Sequence, residues 1–439
     1  MTSLPHAYAP PVEDRPEPES TEVAGVGKYW LAVRLHVALV VVGTVVALGT
    51  AVAIELELFD PPATFGAQAY ARWVGLHGLT LLLAEWAPAM GVIGLVALPR
   101  ALKLPALPGW WWTFGSVAIW PLGVLMLLVM TSSPAPGLLD PLEFWAIGVV
   151  VAGLGMLAGQ IVWTVVVYRD RIRSAPVLAA GLGGAAVLQL LAFGRSVLQF
   201  FGPGLGLPTL GSGLTYLAGL TIPVSMAVAA HTLVRDDDRG GGWTAVLVAA
   251  LVVPSLAGWI PQRPLLLGLV VLLSLASMVA FVVALAGPVL RSSWRDMRTW
   301  AALFVVLATG LQVVVRSLLA SLSVDVHLHD TYFQLAPLHL GWLAVFLSLA
   351  IVVRGEPRVL GERRVLARIA MTGTIGTALG LGAAFLAMLG LGQSGMPRRY
   401  VAYIDAFAPQ HQRLGIFALV GAIGCVLLLI GLVGRRERS

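Results

Sequence analysis

Twelve apolar stretches, each near or above the roughly 20 residues a helix needs to cross a bilayer, leave this chain few folds to adopt. They lie near residues 30–54, 71–98, 110–132, 143–168, 175–201, 210–234, 242–260, 264–291, 298–322, 332–354, 366–391 and 412–434. Only Ile260-Pro261-Gln262-Arg263-Pro264 separates the seventh from the eighth. With 58% hydrophobic residues, 11% charged residues and a mean hydropathy of +0.88, the composition is that of a polytopic helical membrane protein. The expected fold is an all-α bundle of twelve transmembrane helices over residues 28–439. Ahead of it, residues 1–27 form a Pro/Glu-rich polar tail (Pro5, Pro10, Pro11, Pro16, Pro18) that is expected to be disordered. No cleavable signal sequence, internal repeat or separate soluble domain is evident.

The net charge of +6 invites a nucleic-acid reading, but the positions of the arginines argue against one. Arg100 and Lys103, then Arg169, Arg171 and Arg173, then Arg235 and Arg239 fall in alternate loops. Arg291, Arg295 and Arg298, then Arg354, Arg358, Arg363 and Arg364, and finally Arg435, Arg436 and Arg438 continue the pattern. The opposite loops carry Glu55, Glu57, Asp60, Asp140 and Asp325. This is a positive-inside pattern. It places the chain in the cell (inner) membrane with both termini cytoplasmic, and it gives no reason to expect a nucleic-acid partner. The lone Cys425 rules out a disulfide framework or a cysteine metal site within this chain.

Three of the eight histidines, His327, His329 and His339, fall within thirteen residues where a charged loop runs into the tenth apolar stretch. On the expected topology that helix enters from the outer face, so His339 sits about two turns deep, roughly 10 Å at about 1.5 Å per residue. His77 lies at a similar depth on the second. A buried imidazole needs a partner, and two at matched depth could bind the iron of a haem from both sides. The plainer alternative is a pair of ordinary buried histidines bonded to carbonyls. On the same face Arg398 and Arg399 suit the carboxylates of haem propionates, because a guanidinium donates bidentate hydrogen bonds. Solvated loop arginines are the alternative there.

His329-Asp330-Thr331-Tyr332-Phe333 followed by His339 resembles the tenth-helix signature of subunit I of the haem–copper oxidases, the cytochrome c oxidase type. GMPRRYVAYIDAF, from Gly395 to Phe407, is similar to the loop before that family's last helix. His77-Gly78 followed by Pro88, Pro99 and Pro105 is similar to its second helix and exit loop. The resemblance implies a subunit I-like bundle in which His77 and His339 are the axial ligands of a low-spin haem. It further implies that Arg398 and Arg399 bind the propionates, and that His329 and Asp330 belong to an outer, magnesium-linked region.

The departures change the expected function. The family's high-spin haem ligand lies two residues before the low-spin ligand, where this chain has Pro337. Neither His-Pro-Glu-Val-Tyr nor His-His occurs anywhere, so copper is not expected. The family's inward proton routes also lack their lysine and aspartate here. The reading is therefore a membrane haem protein with one bis-histidine low-spin haem and no open iron site. It would transfer electrons beside other respiratory subunits, such as a copper-carrying subunit II-like protein or cytochrome c. Haem b is favoured over haem a, because Ala53-Ile54-Glu55 stands where the resemblance leads one to expect an arginine. The alternatives are a catalytic terminal oxidase or nitric oxide reductase core, and a haem-free transporter or assembly scaffold. The roles of Glu85, His36, His231 and Arg316, all within the apolar stretches, stay open at this stage.

Overall fold

The structure is a computed structural model that describes residues 21–59, 66–131, 140–201, 210–233, 264–319, 328, 331–356, 364–397 and 405–433. Hydrocarbon offers no water to satisfy peptide groups, so the apolar stretches take up helix, in which each peptide is bonded within its own segment. In order they are α1 (Thr21–Phe59), α2 (Gly66–Leu79), a π-helical segment (Thr80–Trp86), α3 (Ala87–Ala101), α4 (Trp110–Thr131), α5 (Asp140–Val167), α6 (Pro176–Phe201) and α7 (Leu210–Leu233). After these come α8 (Pro264–Arg291), α9 (Met297–Leu319), α10 (Tyr332–Arg354), α11 (Arg364–Gln393) and α12 (Ala408–Val433). Among the described residues nine helices are long and apolar enough to cross a membrane, and α6 and α7 contribute shorter apolar stretches. The protein is thus an all-α, membrane-embedded bundle. The expected seventh run, 242–260, lies outside the described residues, as do residues 1–20; α1 begins at Thr21, inside the stretch assigned to the tail.

Two rods form the centre. The continuous helix through α2 and α3 is 88% buried along its apolar window and α10 is 89% buried, against 28% to 44% for the other seven spans. Both rods carry an internal proline, Pro88 and Pro337. Proline lacks the N–H that would bond the carbonyl four residues earlier, and its ring crowds that carbonyl. For Pro88 that carbonyl belongs to Ala84, and the chain widens there into the π-helical turn.

Small residues let the helices approach closely, as they do where no hydrophobic force drives helix association. A Cβ on Gly380 would run into the backbone of Gly421, and one on Gly424 into Thr377. Gly373 is held as closely against Leu428, so α11 and α12 pack backbone to backbone. Gly43 on α1 abuts the Ala84 carbonyl in the same way.

The connections that carry Arg100, Arg298 and Arg354 meet at one end of the bundle. There Trp30 Nε1 donates to the Pro105 carbonyl at 2.9 Å, and Lys28 lies 4.8 Å over the Trp110 ring. Arg100 donates to the Gly355 carbonyl. Partial burial alone would raise the Asp296 carboxyl, but hydrogen bonds and charge from Arg298, 2.6 Å away, hold it below its usual value.

Replacing Gly380 with Leu should force α11 from α12 and destabilise the protein by about 1–3 kcal/mol or more. Gly382→Leu, at a position with nothing within 4 Å of its Cβ, should leave the melting temperature nearly unchanged. Thermal unfolding of both variants in detergent measures the difference.

Candidate functional site

At the end opposite Arg100, Arg298 and Arg354, the start of α10 is built by local chain chemistry. Thr331 is its N-cap, with its hydroxyl accepting from the Phe333 N–H at 3.2 Å. The end of α11 is wound into a Schellman cap: the Met396 N–H donates to the Leu391 carbonyl, and that of Gly395 to the Gly392 carbonyl. Gly395 adopts φ of 84°, a left-handed conformation that suits glycine. Met396 and Leu391 are both buried, so an apolar contact closes the cap. The turn leaves the Met396 carbonyl accepting from the Tyr332 N–H at 3.2 Å, and Pro397 bridges to Thr331. The loop that continues into Arg398 and Arg399 is thereby tied to the first turn of the helix carrying His339. Arg398, Arg399, His327, His329 and Asp330 themselves lie outside the described residues.

His77, in the last turn of α2, and His339, two turns into α10, come together. Their ring centres are 6.0 Å apart and their planes 11° from parallel. His77 Nδ1 donates to the Ala47 carbonyl of α1 at 2.9 Å, with the Thr50 hydroxyl 3.4 Å away. His339 Nδ1 donates to the Leu335 carbonyl at 2.9 Å. A carbonyl can only accept, so each Nδ1 carries the proton and each neutral ring keeps its lone pair on Nε2. Among the described residues neither Nε2 has a hydrogen-bond partner.

A ring nitrogen fixed by a carbonyl is a feature that metal-ligating histidines share, and it raises ligand basicity. Two metal–imidazole bonds of about 2 Å each, plus about 1 Å from each nitrogen to its ring centre, place the centres about 6 Å apart. The spacing therefore suits one metal ion between the rings. The surroundings suit a flat apolar group around it. His339 lies with Gln334, Leu335 and Leu338 on a half-buried stripe of α10, whereas Leu340 to Val353 are buried. A Cβ on Gly78 or Gly49 would touch nothing within 4 Å, and the Phe385 ring of α11 stands 5.2 Å from that of His339. Haem thus fits the donor set. Among the described residues no three His, Cys, Asp or Glu side chains are grouped to hold a metal ion, and Pro337 occupies the position two residues before His339.

The remaining histidines do other things. His36 uses both ring nitrogens, one on the Ala32 carbonyl at 3.0 Å and one on the Ser116 hydroxyl at 3.3 Å, and its ring stacks on Trp120. It is a satisfied core residue. His231 lies apart, lining a cavity of about 210 Å³ with Arg100, Asp296 and Arg298. His411 is buried edge-on against Tyr332. Arg316 sits half-buried in the last turn of α9. Sequence reasoning missed the Ala47 carbonyl, Thr50 and Phe385; a backbone carbonyl leaves no mark in a sequence, and Thr50 reads as one more tolerated hydroxyl within an apolar run.

His36→Ala should cost about 1–3 kcal/mol, since it leaves the buried Ser116 hydroxyl without this partner. The melting temperature should fall, while any spectrum arising from the His77–His339 pair stays the same.

Residues 208–427 match the profile of the family described as Cytochrome C and Quinol oxidase polypeptide I. The chain is 26% identical to the cytochrome c oxidase subunit 1 of Corynebacterium diphtheriae, over 86% of this chain and 76% of that protein. It is 27% identical to the probable cytochrome c oxidase subunit 1-beta of Nocardia farcinica, over 86% and 72%. A shorter segment is 34% identical to the cytochrome c oxidase polypeptide 1 of Halobacterium salinarum, covering 26% of this chain and 19% of that one.

Proposed function

This chain belongs to the family of cytochrome c and quinol oxidase polypeptide I, and on that premise we propose that it is a membrane haem protein that relays electrons in a respiratory complex without reducing oxygen. The observation that carries the reading is the His77–His339 pair: near-parallel rings 6.0 Å apart, each with Nδ1 committed to a carbonyl. A haem held there, b in preference to a, would supply one reversible electron. His77 and His339 would both hold the haem through Nε2, a donor set that suits electron transfer over gas binding. The Ala47 and Leu335 carbonyls fix ring orientation and tautomer, so neither imidazole has to reorganise as charge changes.

Arg398 and Arg399 would receive the propionates, the fork of each guanidinium matching a carboxylate. The docking of Met396 and Pro397 on the start of α10 supports this by bringing their loop to the His339 helix. His329 and Asp330, just before the Thr331 cap, would form the outer polar region and could hold magnesium. Pro337 and the lack of adjacent histidines in the sequence argue against a copper site and favour electron transfer over oxygen chemistry. The gathering of Arg100, Arg298 and Arg354 at one end supports a cytoplasmic position for that end and for both termini. Electrons would then be exchanged at the outer face, with a copper-carrying subunit II-like protein or cytochrome c as the fitting partner.

The names of the relatives carry the rival reading, a catalytic oxidase. Carbon monoxide added to the reduced protein separates the two: no photolabile adduct is expected, and a clear one would overturn the proposal. His77→Ala and His339→Ala should each abolish the low-spin haem spectrum, whereas His231→Ala should leave it intact. Protein purified from haem-replete cells without a Soret band would instead favour a transporter or scaffold.

A further inference from the structure

Glu85 has no role in the electron relay described above, yet it is a carboxyl buried within one of the two central rods. It lies in the π-helical segment, eight residues beyond His77, and is 1% exposed. Its backbone is pinned by the close seating of Gly43 against the Ala84 carbonyl. Neither carboxyl oxygen accepts a hydrogen bond among the described residues. The groups that face it are the Thr44 hydroxyl of α1, which already donates to the Val40 carbonyl, and the Trp342 indole N–H of α10, which likewise makes no hydrogen bond.

Ionisable side chains around it are sparse. The Cys425 thiol of α12 is within electrostatic reach. α1 has no ionisable side chain between His36 and Glu55, α10 none between His339 and Arg354, and α4 none at all. On its own rod the neighbours are His77 on one side and Arg100, at the far end of α3, on the other. An ionised carboxyl that faces only a hydroxyl and an indole N–H, with no cation beside it, is costly to keep in an apolar interior. The charge that Glu85 carries therefore answers to whatever charge appears elsewhere in that interior.

We propose that Glu85 is a redox-linked proton acceptor, an inference that rests on the haem reading of the His77–His339 site. When one electron reaches that site from an external one-electron donor, the equilibrium of Glu85 shifts from the carboxylate toward the neutral acid, the proton coming from water and bonding to a carboxylate oxygen. Loss of the electron shifts the equilibrium back and returns the proton to water, so the proton partly offsets the charge that the electron brings. Eight residues at about 1.5 Å each put Glu85 about 12 Å from the imidazole pair. At an effective dielectric constant of about 20, one unit of charge over that distance changes proton affinity about tenfold. Reduction favours the protonated form, so the midpoint potential falls as pH rises. The total fall across the titration is about 59 mV, the equivalent of that tenfold change for one electron.

The test is a redox titration of the full-length haem-loaded protein against pH, paired with reduced-minus-oxidised infrared spectra in H₂O and D₂O. Wild type should show the potential shift and a carboxyl C=O band that moves in D₂O. Glu85→Gln should keep the haem spectrum and lose both, and Glu85→Asp should restore the shift with a displaced band. A pH-dependent shift that persists unchanged in Glu85→Gln overturns the proposal. If that variant does not accumulate, wild type grown on ¹³C-carboxyl glutamate decides: a redox difference spectrum without an isotope-shifted carboxyl band is equally fatal. Haem-loaded wild type with a pH-independent potential sinks this inference alone, whereas wild type that purifies without haem sinks the functional reading and this inference together.

Discussion

A polar group without a partner in hydrocarbon costs several kcal/mol, and the buried side chains of this bundle are arranged around that cost. Hydroxyls on α1, α5, α10 and α11 turn back to carbonyls one helical turn earlier: Thr44 to Val40, Thr164 to Gln160, Ser348 to Ala344 and Thr374 to Ala370. Gln160 spends its amide on Pro108 and accepts from Thr113. Trp86 donates to Thr221. His36 is tied at both nitrogens. Set beside these, His77 and His339 each commit one nitrogen and keep the other lone pair unused, and Glu85 commits neither oxygen; the Ser225, Ser274 and Thr309 hydroxyls are likewise uncommitted among the described residues.

The same constraint explains why the paired imidazoles sit on the two most buried rods. Rods packed on all sides fix side chains better than lipid-facing ones do. α1 contributes as much as either ligand helix, because the Ala47 carbonyl orients His77 and Gly43 sets how closely the π-helical turn approaches. The relatives are oxidase subunits, but what this chain retains of their pattern is unequal. The segments around His77 and His339 follow it, while Pro337 and the absent histidine pairs depart from it.

Much of the architecture was readable in advance, because length and hydropathy alone dictate membrane helices. Eleven of the twelve expected runs coincide with described helices. The matched depth of His77 and His339 was also legible, since depth follows from residue count along a helix of known rise. Which histidines were not ligands was less so. His36 and His231 both lie within apolar stretches, and only packing shows that Ser116 and Ala32 occupy the first while the second lines a separate cavity.

Taken by itself, the sequence determined the class of fold, the spans and their charge asymmetry, and a short set of imidazoles able to take a metal, because each of these follows from local composition and helical rise. The tertiary structure decided what depends on contacts between distant segments. It brought His77 and His339 to 6.0 Å, gave Ala47 and Leu335 their roles, and surrounded Glu85 with partners that do not bond it. Distances between rings on different helices, and the availability of a carbonyl, are set by how helices pack against one another, and no periodicity within a single helix encodes them.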